Sequence, residues 1–150
     1  MNNWSKWLGF WLQQLKPSIT TYIRDGQHQQ VLDELKMLTL PPNAKLFVCD
    51  ANSMYNNIDT NHATEVNTWL LQDLHSKHAL PLNFPLEVVI DAMEMITKNN
   101  IFEWGDMHFL QLLGTVMGTS AAVMWETMYY AYHKAHTLLP KYSNFLLYFK

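Results

Sequence analysis

Two stretches of this chain hold residue types whose spacing could do chemistry. Asp50 closes the apolar run Leu46-Phe47-Val48-Cys49, and Tyr55 follows in Asp50-Ala51-Asn52-Ser53-Met54-Tyr55-Asn56-Asn57-Ile58. A carboxylate at the end of a buried strand must be solvated or paired, because its charge is costly in an apolar setting. A metal ion is one natural partner, and an aromatic shortly downstream can wall a pocket beside it. The blander alternatives are a solvated strand-end acid or a helix-cap partner for Asp50, and an ordinary core aromatic for Tyr55. The second stretch is Gly114-Thr115-Val116-Met117-Gly118-Thr119-Ser120, just ahead of a long apolar segment. Its glycines permit a tight loop or the close approach of a ligand to the backbone. Met117 reads first as a packing residue.

Other titratable residues carry weaker signals. His75 with His78, and His133 with His136, are spaced i, i+3. Such pairs can face the same side of a helix, but zinc needs further ligands; surface or partly buried histidines are the better reading. Asp91, Glu94, Glu103 and Asp106 read as solvated acids of a helix and a hairpin.

Composition bounds the possibilities. A chain of 150 residues, 49% hydrophobic and 15% charged, suits one globular domain. A formal charge of −3 argues against a free-standing nucleic-acid binder, which would carry a basic surface. The single cysteine, Cys49, excludes an internal disulfide and a zinc site of several thiolates. Lys6 and Lys16 interrupt the Trp-rich amino terminus, which makes a poor secretory signal. No apolar run approaches the ~20 residues that span a bilayer. An intracellular context without a membrane is expected, and a nuclear one is compatible.

The elements that must position these residues follow from periodicity. Trp4, Trp7, Leu8, Trp11, Leu12 and Leu15 form one stripe of an amphipathic helix that Pro17 ends. Residues 28–38 read as a shorter helix through Val31, Leu32, Leu35 and Leu38, and Thr39 to Asn43 as a turn. Residues 45–50 are the expected strand. Asp59 or Thr60 can start a helix with Ala63, Val66, Leu70 and Leu74 on its apolar face. After a loop over 75–84, Pro85 suits a first helical turn, and Leu86, Val89, Ile90, Met93 and Ile96 form the next buried face. Asn99-Asn100 offer a left-handed stop. Ile101 to Trp104 and Met107 to Gln111 flank Gly105-Asp106, the pattern of a hairpin with a two-residue turn. A helix over about 120–137, capped by Thr119 or Ser120 and apolar on most faces, is expected to lie centrally until Pro140 breaks it. Asn144 to Phe149 reads as a core strand. The fold class is therefore α+β, helix-rich. A chain that stops at Lys150, directly after a strand, looks cut.

Taken in order, these segments resemble the palm region of a reverse transcriptase, most closely that of Penelope-like retroelements. The first palm motif of that family runs Asp, two variable residues, Ser, an apolar residue, Tyr, Thr, Asn, Ile. Asp50, Ser53, Met54, Tyr55, Asn57 and Ile58 match it, with Asn56 in place of Thr. The second, Gly-Thr-x-Met-Gly-Ser-Pro, is matched by Gly114, Thr115, Met117 and Gly118, with Thr119-Ser120 where Ser-Pro is common. The likeness also takes in the Trp-rich lead-in over 1–40, Pro41-Pro42-Asn43, and Asn99 to Glu103 opening a hairpin. It implies a partial palm and fingers over 41–150: a strand carrying the first motif, the hairpin, a central helix after the second motif, and a terminal strand.

What the resemblance implies chemically is RNA-directed DNA polymerisation by two Mg²⁺ (or Mn²⁺) ions on an RNA template, a DNA primer and deoxynucleotides. Asp50 would bridge both ions and the Ala51 carbonyl would contact one of them. Tyr55 would lie beneath the incoming sugar and disfavour a 2′-hydroxyl by clash. Gly118 would let the template–nucleotide pair approach the backbone, with Met117 packed nearby. The family's third motif, a Tyr-x-Asp-Asp-type turn, is expected after Phe149 and is missing from the sequence. The isolated chain is therefore expected to be inactive. The alternatives are a non-catalytic helical interaction module, with the Trp stripe meeting a protein partner, or an inactive retroelement relic.

Overall fold

Asp59 starts the longest helix among the described residues for a local reason: its carboxylate Oδ1 accepts a hydrogen bond from the His62 amide at 2.9 Å, satisfying a donor that the first turn leaves open. The computed structural model describes residues 2–19, 28–47, 55–115, 119–144 and 146. Among them run helices α1 (Asn2–Gln13), α2 (His28–Lys36), α3 (Thr60–Ser76) and α4 (Leu86–Lys98). Strands β1 (Ile101–Trp104) and β2 (Met107–Leu110) follow, then α5 (Ala122–His133) and α6 (Leu139–Tyr142). The molecule is helix-rich with a small antiparallel sheet of two strands.

The core lies where α1, α3, α4 and α5 meet: α3 packs on α4 and α5, and α1 on the same two. Leu8 and Leu12 of α1, Leu71 of α3, Met93 of α4 and Met128 of α5 are fully buried there. Removing that much apolar surface from water is the main term holding the helices together. The expected faces of α3 and α4 are largely the observed ones, except that Leu71 rather than Leu70 is the fully buried position of α3. Both α2 and the turn through Pro42-Asn43 fall where the sequence indicates.

The stripe on α1 is rotated from the expected one. Ser5, Leu8, Gly9 and Leu12 are buried, whereas Trp7 and Trp11 are half-buried and Trp4 is exposed. The indoles flank the contact instead of filling it, and Trp11 meets Phe84 edge to face at 5.7 Å. Gly9 explains the rotation, since a Cβ there would lie 2.6 Å from the Ser120 carbonyl oxygen. Only glycine lets the helix approach that backbone so closely.

Three further expectations are corrected, and a fourth lies mostly outside the described residues. Lys45, Leu46 and Phe47 form no strand, and Leu46 and Phe47 are 81% and 78% exposed. A strand is held by its ladder partners, and the described sheet contains only β1 and β2. Residues 48–50 lie outside the described residues, as do most of 144–149, of which Asn144 and Leu146 are not extended into a strand. Asn99 is not left-handed (φ −115°); its side-chain amide instead donates to the Met95 carbonyl at 2.8 Å, ending α4 by a side-chain bond. Neither Thr119 nor Ser120 caps α5 by a side-chain bond to it. Ala121 stands at the cap position, and a main-chain turn carries the Ala122 amide to the Thr119 carbonyl at 3.2 Å.

Pro140 does not break the last helix. A π turn over Lys134–Leu138 links α5 to α6, and the Leu139 amide reaches back to the Lys134 carbonyl. A proline ring clashes with the carbonyl four residues earlier, and widening the turn before it relieves that clash.

The hairpin is as expected, with Trp104 opposite Met107, Phe102 opposite Phe109, and Gly105 at φ +61° in the turn. All eight strand residues are exposed, so the hairpin stands clear of the helical core.

Candidate functional site

The two stretches singled out by residue type adjoin through their described residues. The Thr115 amide donates to the Tyr55 carbonyl at 2.9 Å, and the Gly114 amide to the Ile58 carbonyl at 2.7 Å. Asp59 and Leu113 pair as an isolated antiparallel bridge. The end of the first stretch and the start of the second are thus stitched by main-chain bonds, which fix relative position without depending on side-chain identity.

Gly114 makes the stitch possible. Its φ is +79°, and a Cβ would collide with the Tyr55 carbonyl and lie 3.0 Å from the Asn56 Cα. Thr60, buried at the first turn of α3, adds its hydroxyl within 3.3 Å of both the Leu112 and Gly114 carbonyls. An amide clasp joins this junction to the hairpin. The Asn100 side chain donates to Gln111 Oε1 at 2.6 Å, and Gln111 Nε2 donates to the Leu113 carbonyl at 2.9 Å. The Gln111 amide also reaches the Asn100 carbonyl at 2.8 Å. Thr60, Asn100 and Gln111 were not singled out by the sequence, where each looks like an ordinary polar residue at an element boundary.

Of the residues expected to act, Tyr55 is half-buried at the junction. Asp50, Ala51, Met117 and Gly118 lie outside the described residues. Among the described residues, no group of three or more His, Cys, Asp or Glu side chains converges as a metal site. Asp59, an acid at the junction, has one oxygen committed to its helix cap. The described residues therefore do not complete a site for Mg²⁺ by themselves. Asp91, Glu94, Glu103 and Asp106 are exposed, as expected of solvated acids. His75 and His78 do not share a helical face, since α3 ends at Ser76 and His78 has a φ of 53°.

Two other polar features carry no signal in the sequence. Glu126 of α5 is 1% exposed, and neither carboxylate oxygen has a hydrogen-bond partner among the described residues. Burial pushes its carboxyl up to about 7. Nearby on the same helix, the Trp125 carbonyl accepts from Asn67 Nδ2 at 2.8 Å, tying α3 to α5. Farther along that seam lies a ladder of rings: His62 and Trp69 of α3 against Tyr129, Tyr132 and His133 of α5 and His136 of the π turn. Helical periodicity could have placed these rings on one side of each helix, but not against each other.

No family model, curated protein or solved structure matches the chain. No helix among the described residues is long and apolar enough to cross a membrane.

Proposed function

We propose that these residues form part of a reverse-transcriptase palm, an RNA-directed DNA polymerase of a Penelope-like retroelement. The observation that carries the reading is the junction: the segment following Asp50 and the segment leading to Gly118 share main-chain hydrogen bonds at Tyr55–Thr115 and Ile58–Gly114. A polymerase of this class needs its first and second palm motifs side by side, and two stretches nearly sixty residues apart have no local reason to meet. In the intact enzyme Asp50, with the Ala51 carbonyl, would hold Mg²⁺, which supplies charge stabilisation to phosphoryl transfer. Tyr55 and Gly118, with Met117 beside it, would shape the nucleotide's place. The RNA template, DNA primer and deoxynucleotides belong to this proposal.

One motif carboxylate can bridge two ions but cannot hold them without further ligands, so the 150-residue polypeptide alone is expected to give no DNA synthesis. Primer extension on a homopolymer template with Mg²⁺ or Mn²⁺ checks this, and robust extension would contradict it. In a longer chain that includes a paired-aspartate turn, Asp50→Asn should abolish extension while circular dichroism stays unchanged. Retention of activity by that variant would remove the polymerase reading.

The exposed apolar hairpin favours a second reading, a non-catalytic interaction module. Such a module would tolerate Asp50→Asn and lose partner binding on substitution of Trp104.

A further inference from the structure

The C-terminal half of α5 is held to α3 by rings rather than by aliphatic side chains. The His62 and His133 ring centroids are 5.5 Å apart. Tyr129 stands 4.4 Å from His133 and 5.8 Å from His62, each edge to face. Tyr132 stacks on His136 at 4.4 Å, and Trp69 of α3 meets both at about 5 Å, at 5.2 and 5.1 Å. His136 Nδ1–H donates to the Tyr132 carbonyl at 3.0 Å, whereas the buried Nε2 of His133 has no partner among the described residues.

We infer that this ladder is an acid-sensitive seam. Protonation of His62 and His133 parts the segment 129–142 from α3, while the four-helix core around Leu71 and Met93 stays folded. The inference is independent of the polymerase reading.

Titratable groups face the seam from both helices. From α3 come His62, the cap carboxylate of Asp59 and the exposed Glu65 one turn on; from α5 and the π turn come Tyr129, Tyr130, Tyr132, His133, Lys134 and His136. Asp59 is oriented by its bond to the His62 amide, and Glu65 makes no ion pair among the described residues. Glu126, a turn and more upstream, acts on Tyr130 and is itself largely uncharged below neutrality. Two imidazolium ions at the observed separation repel each other. Burial first, then His62, then His136 already hold His133 below the usual imidazole range. The π turn directly after His133 gives the opening a natural limit, because such turns interrupt the regular helical ladder.

The parting would be felt at the candidate site, since His62 lies one turn from the Asp59–Leu113 bridge. Amide hydrogen exchange of the full chain at pH 7.5 and 5.2, corrected for the intrinsic chemical rate, tests it. Peptides covering 129–142 should exchange about tenfold faster at the lower pH, with those of α4 unchanged. His133→Phe keeps a ring but no charge, and His62→Gln removes the partner charge from an exposed position. Each should abolish the acceleration. Should His133→Phe fail to fold, His62→Gln alone decides. Uniform acceleration across the chain, none at all, or acceleration that survives the substitutions would overturn the inference.

Discussion

Glu126 is the residue whose chemistry is most at odds with its surroundings. A carboxylate without partners in an apolar core disfavours its own ionisation, and folding raises its pKa from 4.5 to about 7. Below pH 4.5 the group is protonated in both states and folding is undisturbed. As pH rises towards 7 the unfolded chain releases the proton and the folded chain holds it, so stability falls and then levels off. Glu126→Gln removes this penalty, keeping a neutral side chain of the same shape. The variant should be more stable than the parent at pH 8 by up to about 3 kcal/mol, and little different at pH 4.5. Urea denaturation at the two pH values checks this; an equal or lower midpoint for the variant at pH 8 would contradict it. Nothing in the sequence marks Glu126, flanked by Trp125 and Thr127 on a helix apolar all round. Burial of its carboxylate depends on how the other helices pack on α5.

Between elements, the decisive contact is the one at Gly114. An alanine there would adopt a positive φ and drive its Cβ into the Tyr55 carbonyl. Strain and collision together should cost roughly 2–4 kcal/mol, and the damage should fall on the junction first. Gly114→Ala is therefore expected to lower the thermal midpoint and to speed amide exchange at Gly114 and Thr115 more than in α4. Helices and hairpin were legible in the sequence because their signals are local: a 3.6-residue period for α3 and α4, and Gly105-Asp106 between alternating strands for β1 and β2. The junction was legible only in part. Two motifs suggested that the Asp50 and Gly114 stretches belong together, but the bonds that join them run through Tyr55, Ile58, Thr60 and Gln111, and main-chain bonds leave no residue signature. The expected strand over 45–50 failed over its described half because an apolar run names a burial preference, not a ladder partner.

On the scale of the whole molecule, a helical core and a protruding hairpin divide the surface unevenly. Strand alternation puts Phe102, Trp104, Met107 and Phe109 on one face of the hairpin, and Phe102 stacks on Phe109 at 5.5 Å. Trp104 is 75% exposed. A bare apolar face with open strand edges invites pairing with another chain. The 150-residue protein is expected to associate as its concentration rises, and Trp104→Lys combined with Phe102→Thr should weaken that association several-fold without loss of helix. Light scattering after size exclusion, read beside far-ultraviolet circular dichroism, measures both.

By itself the sequence determined the helical segments of the core and the hairpin with its turn. Each is written in residues close along the chain. The tertiary structure alone decided that α1 turns its small residues rather than its indoles inward, that Pro140 is absorbed by a π turn, that Glu126 is sealed from water, and that His62 meets His133. Those outcomes rest on close packing between segments far apart in the chain. There the shape and charge of a neighbour, not the residue's own type, set which atoms are buried and which are paired.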